Sequence, residues 1–126
     1  MDYDAARVYL LSRPDAFEDY PFGPDVAVMK IGAKMFATLA TQRGEGRMNL
    51  KCDPVEAVML RDVFDAVLPG YHMNKKHWNT IVLDGSIPVP ELERMIDRSY
   101  GLVVKSMRRA ERDALILRHG RNTIFR

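Results

Sequence analysis

Cysteine is almost absent from this sequence. Cys52 stands alone, so no internal disulfide can form, and no CxxC pair offers a zinc site. A chain without staples suits a reducing compartment, and a cytoplasmic location is expected. Long apolar runs are missing too. No stretch approaches the ~20 residues that a membrane-spanning helix needs. The opening MDYDAARVYLLSR carries acids where a signal peptide carries a basic start and an apolar run. No membrane association is expected. Glycine-rich phosphate loops are lacking: Gly44-Glu45-Gly46 is too short, leads into a polar strand and reads as a turn. Ser86 has none of the flanking glycines of a nucleophile elbow. No repeat, low-complexity tract or linker divides the chain, so residues 1–126 read as one domain, with 119–126 a candidate flexible tail.

What is present is ordinary in bulk and uneven in detail. With 126 residues, 47% hydrophobic and 29% charged, the chain can bury about two-thirds of its unfolded surface in a real core. The net charge of +2 conceals an asymmetry. From Lys105 to Arg126, seven Lys/Arg (105, 108, 109, 112, 118, 121, 126) face only Glu111 and Asp113, whereas the remainder has 12 basic and 15 acidic side chains. A basic C-terminal segment can attract a polyanion, and a solvated helix face has the same composition.

Local patterns give the element order. A helix is expected from Asp2 to Ser12, with Asp2 and Asp4 at its positive end and Tyr3, Ala6, Leu10 and Leu11 on one side. Arg13-Pro14 stops it, because a residue before proline avoids the helical region. PDAFEDYPFGPD follows as a turn-rich loop. VAVMKI (26–31) and KMFATLAT (34–41) flank Gly32-Ala33, the spacing of a two-residue hairpin. In RMNLKC (47–52), Arg47, Asn49 and Lys51 alternate with Met48, Leu50 and Cys52, which predicts one wet and one buried strand face.

Asp53-Pro54 reads as an N-cap and first-turn proline of a helix over 54–66, with Val55, Val58, Met59, Val63 and Phe64 inward. Leu68-Pro69-Gly70 breaks the chain, and WNTIVLD (78–84) is the next strand, closed by Asp84-Gly85. Pro90 opens a helix that buries Leu92, Ile96, Ser99 or Tyr100, and Val103. A last helix, 108–118, is expected to bury Ala110, Ala114, Leu115 and Leu117 and to turn Arg108, Arg109, Arg112 and Arg118 outward. Short loops favour antiparallel neighbours, so the class is α+β: an antiparallel sheet with helices mainly on one face.

The densest stretch is YHMNKKHWNTIVLDG, 71–85. Lys75 and Lys76 can neutralise phosphates, with Asn74 and His77 as hydrogen-bond partners. The same lysines can instead guard a strand edge, and Asn74 can close a turn on its own backbone. Trp78 can stack on a base or anchor the core. His72 and His77 could ligate a metal only with converging partners, and two lysines between them repel a cation. Cys52, in phase with Met48 and Leu50, reads as a small buried hydrophobe rather than a nucleophile. Ser99, mid-helix, can bond back to a carbonyl. No catalytic constellation, metal site or cofactor is expected.

HMNKKHWNTIVLDGSIP followed by LERMIDRSYGLVV resembles the MmcQ/YjbR family of small bacterial proteins. The matching positions are Asn74, Lys75, His77, Trp78, Leu83, Asp84, Gly85, Pro88, Ser99 and Tyr100, and the similarity runs over about residues 2–118. The resemblance implies a CyaY-like (frataxin-like) fold, in which Trp78, Asp84, Gly85, Ser99 and Tyr100 are structural, and a DNA-binding role. Frataxin-like iron handling needs an acidic ridge, which Asp2, Asp4, Asp15, Glu18 and Asp19 supply only thinly. Three functions are therefore weighed. The first is non-catalytic DNA binding through Asn74, Lys75, Lys76 and His77, extended by Arg47 and Lys51 or by Arg108, Arg109 and Arg112. The second is a protein-interaction module with an exposed apolar groove. The third is a small-ligand-binding protein or enzyme with His72, His77 and Trp78 around a pocket.

Overall fold

A computed structural model describes residues 1–126. In chain order the elements are α1 (Tyr3–Leu11), β1 (Phe17–Asp19), β2 (Val26–Ile31), β3 (Lys34–Gln42), β4 (Glu45–Lys51), α2 (Pro54–Val63), β5 (Val67–Pro69), β6 (Trp78–Leu83), α3 (Val89–Lys105), α4 (Arg109–His119) and α5 (Arg121–Ile124). The strands form one antiparallel sheet in the order β1-β2-β3-β4-β6-β5. Helices α1 and α3 lie across the central strands β3 and β4, and α2 packs against the edge strand β5. The class is α+β, as the alternation of apolar and polar residues predicts. No helix is long and apolar enough to cross a membrane.

The register separates two faces. Met48 pairs with Leu39 and Ile81, and Leu50 with Ala37 and Asn79. The apolar members of these pairs share one core with Leu92, Ile96, Tyr100 and Val103 of α3 and Leu10 of α1. A period of two then places Thr38, Asn49 and Thr80, which are paired to one another, on the opposite face. Two turns follow from backbone chemistry. Gly32, at φ +60°, opens the β2–β3 hairpin, and Arg43 and Gly44, at φ +54° and +81°, make the β3–β4 turn. That turn lies one residue earlier than the expected Gly44-Glu45-Gly46, because Glu45 and Gly46 already pair with Gln42 and Thr41.

Ser99 performs a different task from the predicted backward bond within its helix. Its hydroxyl donates to Phe36 O at 2.6 Å and accepts from Lys51 N at 2.8 Å. One side chain of α3 thus supplies a rung where the β3–β4 ladder ends. Phe36 is the extra residue where the β2–β3 register shifts. The bulge turns its ring into the core, edge-on to Tyr100 at 5.3 Å. Tyr100 in turn donates to Pro14 O at 2.7 Å. The Ser99-Tyr100 pair therefore ties α3 to two strands and to the loop after α1.

Four expectations are corrected. On α2 the buried residues are Ala57 and Leu60, while Val55, Val58, Met59 and Val63 are exposed. Arg61 and Asn79 explain the orientation: Asn79 donates to Ala57 O and accepts from Arg61 Nε, fixing the Ala57–Arg61 side against the sheet. On α4 only Leu115 is buried, and Leu117 is 88% exposed. β1 and β5 are three-residue edge strands inside segments that read as loop and chain break. Finally, 119–126 is not a loose tail. It contains α5, whose Ile124 is fully buried and whose Thr123 carbonyl accepts from the buried Arg13 at 2.8 Å.

Candidate functional site

The 70–78 turn is built from the residues that looked most functional. Asn74 Oδ1 accepts from Lys76 N at 2.9 Å, and Asn74 O accepts from His77 N at 3.1 Å. Lys75 spends its ammonium on Gly70 O, 3.0 Å away. Arg61 donates to Lys75 O at 2.9 Å, and His77 O accepts from Cys52 N at 2.7 Å. Asn74, Lys75 and the His77 backbone thus hold the turn; among residues 74–77, only the side chains of Lys76 and His77 have no hydrogen-bond partner. Trp78 is half-buried opposite Lys51 rather than a core anchor. Asp84 is likewise occupied, accepting from Ser86 N and Ser86 Oγ at 3.0 and 2.6 Å before Gly85 at φ +84°.

The turn also leans over the open face of the sheet. Tyr71 N donates to Thr80 Oγ1 at 2.9 Å. His72, at φ +58°, holds an uncommon backbone conformation. The Tyr71 and His72 rings touch, with centroids 4.0 Å apart and planes inclined by 46°. Beneath them is a cleft of about 490 Å³, within the usual range for small-molecule sites. Its walls are Phe22, Val26, Met35, Ala40, Tyr71 and Met73. Its floor is a hydrogen-bonded row across three strands: Thr80 Oγ1 donates to Asn49 Oδ1, and Asn49 Nδ2 donates to Thr38 Oγ1 at 3.0 Å. Thr41, Gln42, His72 and Arg47 complete the lining, and Arg47 Nε is buried and lacks a hydrogen-bond partner.

The expected cationic patch divides into separate groups. Arg47 lies in the cleft, Lys51 at the end of the same strand face, and Asn74–His77 at the β5–β6 edge. Arg108, Arg109 and Arg112 sit at the other edge: a Cβ built on Gly32 would lie 3.4 Å from Glu111 Oε2 of α4, and Arg118 binds Asp15, just before β1. Arg109 and Arg112 do converge with Lys105 and Arg121 around a concavity of about 410 Å³. Lys105 and Arg121 lie 5.5 and 5.8 Å from the Phe125 ring centroid. Asp113 is the single acid lining it, 3.7 Å from Arg109 Nε and 3.9 Å from Arg112 Nε.

His72 and His77 do not share a pocket: His72 lines the cleft, and His77 and Trp78 do not. Nor does any group of three or more His, Cys, Asp or Glu side chains come together in ligating geometry. Cys52 is buried; burial first, then the nearby Glu56 and Asp53, push its thiol up to about 11. Sequence reasoning missed the cleft's Thr38, Thr80, Tyr71 and Phe22. The available signal was polar residues at matched alternate positions of three adjacent strands.

The YjbR family profile matches residues 11–102. The chain is 36% identical over 118 residues to the Escherichia coli O157:H7 protein YbdF, covering 94% of this chain and 95% of that one. The crystal structure of Deinococcus radiodurans protein DR2400, a DUF419 domain, superposes with a TM-score of 0.83 at 35% identity, covering 90% of this chain and 87% of that one. A Pseudomonas syringae protein of known crystal structure superposes with a TM-score of 0.72 at 28% identity, over 81% and 98% of the respective chains.

Proposed function

We propose that this chain, which belongs to the YjbR family, is a small-molecule-binding protein whose ligand sits in the cleft on the open sheet face. One observation carries the reading: apolar walls enclose a hydrogen-bonded polar floor at the centre of a face that no helix covers. Buried polar groups are costly unless they are satisfied, and a packed sheet face has no need of Thr38, Asn49 and Thr80 side by side. Apolar enclosure with a few fixed polar groups is the general form of a ligand site.

The test is an amide-resolved NMR titration of the protein with a chemically varied fragment set. Saturable shifts confined to Thr38, Asn49, Thr80 and Tyr71–Met73 are expected. An Ala40→Leu variant, which fills the cleft from its wall, should abolish them while leaving the remaining spectrum in place. Shifts that cluster elsewhere, or no saturable shift, overturn the reading.

A second reading, duplex DNA binding, draws support from Lys105, Arg109, Arg112 and Arg121 around one concavity. It no longer leans on Lys75, whose ammonium is bound to Gly70 O. Each engaged phosphate contributes a log–log salt slope of roughly −0.9. Arg109→Glu/Arg121→Glu should therefore flatten the slope by about two units, and Lys75→Glu/Lys76→Glu should leave it nearly unchanged. Fluorescence anisotropy over a salt series reads both variants, and affinity independent of salt removes the proposal.

A further inference from the structure

We infer that the ligand end received by the cleft floor is a carboxylate; this rests on the ligand-binding reading above and adds its chemical class. The argument is the direction of the hydrogen bonds. Tyr71 N–H donates to Thr80, the Thr80 hydroxyl donates to Asn49 Oδ1, and Asn49 Nδ2 donates to Thr38 Oγ1. Each side-chain oxygen along that row already accepts one hydrogen bond. What is left over is a set of donors: the Thr38 hydroxyl proton, for which no protein atom serves as acceptor, and the second N–H of Asn49.

Arg47 adds charge to that polarity. Its Nε is buried without a hydrogen-bond partner, and it takes part in no ion pair. An unmet buried donor is uncommon and calls for an explanation. No Asp or Glu lines the cleft to neutralise the guanidinium. Unspent donors on the row, beside a cation that no carboxylate in the cleft neutralises, favour an anion that accepts hydrogen bonds.

A carboxylate fits better than a phosphate. A single guanidinium matches one negative charge with its forked donors. Phosphate sites add a helix N-terminus or a glycine-rich loop, and the cleft is built from strands and the 70–78 turn. The walls of Phe22, Val26, Met35, Ala40 and Met73 then require the rest of the ligand to be apolar. The substrate class is a small monocarboxylate with an aliphatic or aromatic body.

The test uses the intact chain and two bodies, octyl and 2-naphthyl, each as the carboxylate, primary amide, amine and phosphate ester. Affinities come from calorimetry, and cleft occupancy from amide shifts. Carboxylates should bind about tenfold to a hundredfold tighter than the matching amides, the usual gain of a hydrogen bond to a charged group. Arg47→Gln should remove that advantage and leave amide affinity within about twofold; a merely structural Arg47 would weaken both alike. Amides, amines or phosphate esters that enter the cleft as tightly as carboxylates overturn the carboxylate assignment and leave the ligand-binding reading standing. If no member of the panel shifts the cleft amides, both fall.

Discussion

Replacing Asp97 with alanine is expected to lower folding stability by about 3–5 kcal/mol, the usual cost of breaking a buried ion pair from one side. The guanidinium of Arg13 is the reason. Its side chain is fully buried, and its one counter-charge is Asp97, with Nε 3.3 Å from Oδ1. That approach is an ion pair without hydrogen-bond alignment, so Nε and Nη1 have no hydrogen-bond partner. The remaining compensation is the Thr123 carbonyl at 2.8 Å, the Ile124 carbonyl at 3.5 Å and the Tyr100 ring, whose centroid is 4.7 Å from the guanidinium carbon.

Asp97 also accepts from the Tyr9 hydroxyl at 2.9 and 3.0 Å, and burial, then that bond, pushes the Tyr9 hydroxyl up to about 12. Without Asp97, a cation and a phenol lose their shared partner at the junction of α1, α3 and α5. Urea unfolding should show a lower midpoint at unchanged slope. Asp97→Asn, which keeps an acceptor for Tyr9 but not the charge, should lose most of the same stability. Arg13→Met/Asp97→Leu should recover much of it, since an apolar pair often replaces a buried ion pair without loss. An Asp97→Ala midpoint equal to the parent's would refute the account.

This junction shows what could be read from the chain and what could not. Patterns within one element were legible. Asp53 caps α2 through Val55 N and Glu56 N as its Asp-Pro step predicts, and the α3 stripe lies where its spacing puts it. The α+β class followed from those patterns. Choices between two equally periodic faces were not legible. On α2, Val55, Met59 and Val63 recur every four residues, so they mark an apolar stripe as well as Ala57 and Leu60 do. Arg61 and Asn79 decide between them, and that contact spans 18 residues. Edge strands as short as β1 and β5 carry no period at all, because three residues complete barely one alternation.

The same distinction separates the motif from the cleft. Asn74 and Lys75 look functional in the sequence because they are polar and adjacent to further cations, whereas Asp84, Ser99 and Tyr100 read as structural. Each is consumed by a bond that holds a turn, a rung or a loop. The cleft draws instead on Thr38, Arg47, Asn49, Thr80 and the 71–73 segment, which converge only after strand pairing. Arg47 and Asn49 were visible as a wet face, but the register that sets Thr38 and Thr80 beside Asn49 is a tertiary fact. The frame that carries the cleft is therefore easier to read than the cleft.

Gly70→Ala joins the two, and its cost is expected near the top of the overpacking range, about 3 kcal/mol. The reason is space rather than backbone angle, since Gly70 does not have a positive φ. A Cβ there would lie 2.8 Å from Trp78 O, 2.9 Å from Trp78 Cβ and 3.1 Å from Met73 Cβ. The first of these is the carbonyl that Gly70 N already bonds at 2.9 Å. Relief requires β5 to part from β6 or the turn to swing outward. Either movement strains the Lys75 bond to Gly70 O and carries Tyr71 and Met73 away from Thr80. Urea unfolding should therefore report lost stability, and fragment titration should report weakened cleft binding in whatever fraction stays folded. Gly101→Ala is the control: its Cβ would make an ordinary 3.4 Å contact with Phe125, and alanine is the better helix former by about 1 kcal/mol. It should be neutral or stabilising and leave the cleft unchanged. If Gly70→Ala behaved like this control, the turn would not be the rigid wall that the cleft requires.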